Sequence, residues 1–110
     1  MSVTRTFAVT VVSTDSGNKY FIDGVETPTL ELVEGATFKF DQSDGTNATH
    51  PLRFATAADA SGGTQYTTNV TTNGTPGSSG AYTQIQVASG APTLYYYCTN
   101  HSGMGGQINT

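Results

Sequence analysis

The chain has 110 residues, enough for one domain (1–110) with its own core and no disulfide staples. Its net charge of −4 argues against nucleic-acid binding, which uses a basic stripe. A single cysteine excludes an internal disulfide, and no run approaches the roughly 18 apolar residues of a membrane span.

Helical periodicity is absent along the chain. Phe7, Val9 and Val11 alternate with Thr6, Ala8, Thr10 and Val12, the pattern of a half-buried strand. Asp15-Ser16-Gly17-Asn18 is turn chemistry, and a short strand follows at 19–22 before the turn Asp23-Gly24. Residues 29–33 and 37–40 read as strands separated by Glu34-Gly35. Residues 41–49 are polar and loop-like, and they deliver His50 onto a strand at 52–54. From 55 to 80 the chain is rich in Gly, Ser, Thr and Asn, with one strand around 65–71. Strands at 82–87 and 93–97 close the set. Seven or eight short strands at this spacing predict an all-β sandwich or barrel. Charge is uneven: every Asp, Glu, Lys and Arg lies at or before Asp59, so the last fifty positions form a neutral half with weak electrostatic steering.

That neutral half carries the chemistry. Cys98, His101 and Met104 lie within seven residues and include the only cysteine and the only internal methionine. A thiolate, an imidazole and a thioether are three of the ligands of a one-electron copper site, a trigonal His₂Cys plane with a long axial Met. The plane needs a second imidazole, and the one other histidine is His50. Singly, each residue has an ordinary reading: Cys98 as a small buried hydrophobe, Met104 as a core plug, His50 as a loop end. Taken together, they predict one Cu(I)/Cu(II) ion. Binding requires the deprotonated thiolate, so affinity should fall in acid.

These residues resemble the cupredoxin, or blue copper, family. Leu30-Glu31-Leu32-Val33-Glu34-Gly35-Ala36-Thr37-Phe38-Lys39-Phe40 looks like that family's strand–Gly–strand segment before the first histidine ligand. The Cys-x₂-His-x₂-Met spacing is similar to the short ligand loop of amicyanin. A second resemblance, over Asp41-Gln42-Ser43-Asp44, His50-Pro51-Leu52-Arg53-Phe54 and residues 95–106, is to cupredoxin-like modules in structural proteins of marine phages. The first resemblance implies an eight-stranded Greek-key sandwich with copper near one end. It implies His50 on one strand and Cys98, His101 and Met104 in the loop between the last two strands. It also implies that Tyr97 sits on the outer face, where aromatics lie along electron paths in some relatives.

Two positions depart from the family pattern. Pro51 stands where relatives carry Asn, so no backbone N–H is available there for the cysteine sulfur. Asn100 stands where related loops often place Pro.

The function expected is electron transfer by a soluble, monomeric copper protein, with a redox partner docking on the uncharged face around His101. The alternative is a structural or host-contact module of a phage virion in which copper is structural or vestigial. An enzyme is not expected. Multicopper oxidases and nitrite reductases need further histidines, a binuclear copper centre needs two cysteines, and structural zinc takes four Cys/His ligands. A Cys/His protease places base and nucleophile on separate elements, whereas Cys98 and His101 share one loop. The start of the chain runs directly into strand pattern with no apolar signal segment. A periplasmic or extracellular location therefore implies a signal already removed, and otherwise the host cytoplasm or virion is expected.

Overall fold

Alternation along β1 (Arg5–Thr14) turns Phe7, Val9 and Val11 inward, in a computed structural model that describes residues 2–110. A two-residue turn leads to β2 (Gly17–Ile22), whose Tyr20 and Ile22 join the same core. Asp23 and Gly24 both take positive φ (50° and 81°), as a tight hairpin matched to strand twist requires, and β3 (Val25–Glu26) returns antiparallel. The Asp23 carboxylate locks this corner, accepting from the Ala8 N–H (2.8 Å) and pairing with Arg5 (2.9 Å).

The remaining strands are β4 (Leu30–Glu31), β5 (Thr37–Asp41), β6 (Leu52–Ala55), β7 (Gln65–Tyr66), β8 (Val70–Asn73), β9 (Tyr82–Gln86), β10 (Leu94–Cys98) and β11 (Gly106–Asn109). They form two mixed sheets, ordered β3-β2-β1-β5-β9-β8 and β4-β11-β10-β6-β7. Only β1–β5 and β4–β11 are parallel among the strand pairs. The chain crosses between sheets after β3, β4, β5, β7 and β9, so each sheet mixes distant parts of the sequence.

The expected all-β sandwich is therefore observed. Its added strands are β3, which pairs with the end of β2, and β11, which has Ile108 as its one large apolar residue. The single strand expected at 65–71 is divided by a bend at Asn69 (φ 58°). Its first part pairs with β6 in one sheet, and its second with β9 in the other.

Aromatic rings tie the two sheets together. Phe40 of β5 lies 5.0 Å from Phe7, 5.4 Å from Phe54 and 6.5 Å from Tyr96, centroid to centroid. Each such ring removes some 150–250 Å² from water and adds a preference for offset or edge contact. One continuous buried cluster includes Phe7, Phe40, Phe54, Tyr96, Cys98 and Met104. Among the described residues, no helix is long and apolar enough to cross a membrane.

Candidate metal centre

Cys98 ends β10 in register with Leu52, the first residue of β6. Leu94, Tyr96 and Cys98 alternate into the core, leaving the sulfur buried at the rim of the sandwich. His50 reaches the same rim from the other direction. A 3₁₀ turn at Gly45–Asn47 starts at Asp44, whose carboxylate caps it by accepting from the Thr46 N–H (2.9 Å). The turn is stitched onto β1: the Val11 N–H donates to Thr46 Oγ1 (2.9 Å), and Asn47 Nδ2 to the Val9 carbonyl (2.8 Å). The His50 N–H then donates to the Asn47 carbonyl at 2.8 Å.

Between β10 and β11, the loop carrying His101 and Met104 is braced by three segments: residues 49–51, Asp59, and Lys19 and Tyr20 of β2. Asn100 Nδ2 donates to the Thr49 carbonyl (2.9 Å), joining the two histidine-bearing loops directly. The Thr99 N–H donates to the Pro51 carbonyl at 3.3 Å. The Gly103 N–H is held by both oxygens of Asp59 (3.0 and 3.1 Å), while its carbonyl accepts from Lys19 Nζ (2.6 Å). The Tyr20 N–H donates to the Met104 carbonyl at 2.9 Å.

Two imidazoles and one sulfur converge. Cys98 Sγ lies 3.6 Å from His50 Nδ1 and 3.7 Å from His101 Nδ1, and all three atoms fall within 4.8 Å of one another. Two bonds of about 2.3 Å to sulfur and 2.0 Å to imidazole, meeting at a trigonal or tetrahedral angle, set S and N about 3.5–3.7 Å apart. The observed separations match, so the residues fit a first-row metal ion bound through Sγ and two Nδ1 atoms. His50 and Cys98 are buried and His101 is exposed. Met104 is buried too and packs in the same core cluster as Cys98. Residues nearly fifty apart in sequence thus share one site because rigid strands, not local geometry, place them.

Tyr97 lies between Tyr96 and Cys98 on β10 and outside their core cluster, yet it is buried at only 6 % exposed and offers little surface. Its burial raises its hydroxyl pKa, and Arg53 beside it partly offsets this. Other groups at the site could not be read from sequence. Gln42 and Asn47 are buried, while Tyr20 donates its hydroxyl to the His50 carbonyl (2.7 Å). Tyr20's own pKa is driven far up, first by burial and then by Cys98 next to it. Lys19 and Asp59 are surface charges whose contact with Gly103 spans 84 and 44 positions. The chain matches no family model and no curated protein.

Burial, and second the neighbouring charge of His101, hold the His50 imidazole below its ordinary 6.5. The unfolded chain therefore takes up a proton at His50 as pH falls through 6.5 before the folded chain does. By linkage, His50 contributes no penalty above that pH, and below it the metal-free protein loses stability. Thermal melts of metal-free protein at pH 7.5 and 5.5 should give a lower Tm at 5.5, with the difference reduced in His50→Gln. A wild-type Tm that rises on acidification contradicts this.

Proposed function

We propose that this chain is a mononuclear type 1 copper protein of the cupredoxin kind that carries single electrons. The observation that carries the reading is the pair of distances from Cys98 Sγ, 3.6 Å to the buried imidazole of His50 and 3.7 Å to the exposed one of His101. Copper bound there would supply the Cu(II)/Cu(I) couple, for which thiolate and imidazole are matched soft and borderline ligands. The chain's own residues do the rest. Cys98 and His50 are fixed by the sheet and the stitched turn, so ligand positions change little between oxidation states. The core around Cys98 keeps water from the sulfur, and the exposed His101 ring is where a redox partner makes contact.

That face suits a transient partner. The loop from 99 to 105 has no formal charge of its own, and the two charges that meet it at Gly103, Lys19 and Asp59, are opposite in sign. Docking there should depend little on ionic strength, because a face without net charge steers weakly. The protein acts as a monomer in this reading.

Adding Cu(II) to the purified metal-free protein tests the proposal. The expected result is an intense visible thiolate-to-copper band at one ion per chain, with reversible one-electron voltammetry. A band with no reversible couple supports the virion-module alternative, in which copper only stabilises the sandwich. No band at all removes copper from the account.

Pro51 adjoins Leu52, the residue paired with Cys98, and it has no N–H to offer the sulfur. Hydrogen bonds to a ligating sulfur tune the metal's potential. Pro51→Asn returns a backbone donor at this position, so voltammetry should find a higher reduction potential than in wild type. An unchanged or lower value counts against a tuning role for Pro51.

A further inference from the structure

Gln42 follows β5 directly and is only 1 % exposed, rare for a long amide side chain. Every polar atom of it is engaged. Nε2 donates to the His50 carbonyl (2.7 Å) and to Asn47 Oδ1 (3.0 Å), and Oε1 accepts from the Leu52 N–H (2.9 Å). His50 and Leu52 flank Pro51, so one side chain grips the backbone on both sides of the residue that has no N–H. Immediately before them, Thr49 holds a positive φ of 67°. A β-branched residue adopts that conformation at a cost, and only where its surroundings enforce it.

We infer that Gln42 is the positioning residue for the first imidazole: its amide clamps His50-Pro51-Leu52 and thereby sets where Nδ1 stands relative to Cys98 Sγ. The partners demand glutamine. Two of them, the His50 carbonyl and Asn47 Oδ1, are acceptors and need the NH₂ group, while the third is an N–H and needs the carbonyl oxygen. Glutamate supplies acceptors only, and faces two other acceptors without a proton between them. Methionine supplies neither group and leaves buried partners unsatisfied. Without the clamp, the Tyr20 hydroxyl still holds the His50 carbonyl (2.7 Å). The Leu52 side is released, however, so the strained Thr49 link relaxes toward ordinary φ, and the His50 ring shifts with it.

The inference rests on the copper reading for one of its two readouts and is independent of it for the other. Gln42→Glu and Gln42→Met are compared with wild type and with Ile85→Val, a core cut in β9 outside this network. In metal-free protein, NMR should show the Leu52 amide of both Gln42 variants exchanging at least tenfold faster. Contacts between the His50 ring and the Cys98 β-protons should be lost, while Ile85→Val retains both features. With Cu(II) as the probe, the Gln42 variants should bind about 10–100-fold more weakly, the usual cost of removing a group that orients a ligand. Gln42→Glu, nearly isosteric, carries the test alone where Gln42→Met fails to fold. Variants that keep the His50 ring contacts overturn the inference, as does Ile85→Val weakening copper equally. Wild type failing to take up copper ends the copper reading instead, and the metal-free ring contacts still decide the role of Gln42.

Discussion

With copper bound as proposed, Cys98→Ser should abolish the visible charge-transfer band and weaken Cu(II) binding by more than about a hundredfold, since loss of a mere orienting group already costs about 10–100-fold. The band requires a thiolate, and no second sulfur anion is available in a chain with one cysteine. The fold should survive the change. Serine fills nearly the same volume, and its hydroxyl can bond to His50 Nδ1, now 3.6 Å from the sulfur. Circular dichroism and the melting curve of the metal-free variant should therefore stay near wild type while the copper spectrum vanishes. That separation matters, because Cys98 is also a core residue. A variant that still gives the intense band assigns the colour to some other centre. A variant that cannot fold would make Cys98 a packing residue first and a ligand second.

How much of this site was legible before the structure depends on how locally each residue is specified. Cys98, His101 and Met104 announce themselves because three metal-binding side chains fall within one short loop. His50 was legible as the one imidazole left and from the strand–Gly–strand segment before it, and the structure brings it to Cys98 from 48 positions away. Gln42 and Asn47 gave no signal. They lie in the polar run 41–49, which reads as an exposed loop, and their burial exists only because that run folds back on β1. Local pattern cannot show such tertiary contacts.

The strands follow the same division. β1, β5, β9 and β10 alternate over five or more residues and were read close to their observed limits. β3, β4 and β7 are two residues long and are strands because a neighbour pairs with them, a cause that lies outside their own sequence. The run at 65–71 shows the limit most clearly: strand-forming Tyr66, Thr67, Thr68, Val70 and Thr71 surround Asn69, the turn-former at which the chain changes sheet in left-handed φ.

Gly105→Ala should be the most damaging single-methyl change in the chain, for a reason equally hidden from sequence. A Cβ at 105 would stand 1.7 Å from the Tyr96 carbonyl oxygen, 2.6 Å from its carbon and 3.1 Å from Tyr97 Cα. All three are backbone atoms of β10, so no side-chain rotation relieves the clash. β11 pairs with β10 from Gly106 onward, through Tyr96↔Gly106 and Leu94↔Ile108. Relief therefore means prying the start of β11 off β10, which drags Met104 and the His101 loop away from Cys98. We expect Gly105→Ala to cost at least about 4 kcal/mol, the exceptional end of single substitutions, or to prevent folding. Gly45→Ala is the control: no atom lies within 4 Å of its Cβ, and its φ is not in the left-handed region. Chemical denaturation should find that variant within about 0.5 kcal/mol of wild type or slightly more stable, as replacing an unstrained glycine usually does. A Gly105→Ala protein with near-native stability would mean that β10 and β11 do not approach this closely. Met104 would then be held chiefly by the Tyr20 N–H rather than by the β10–β11 contact.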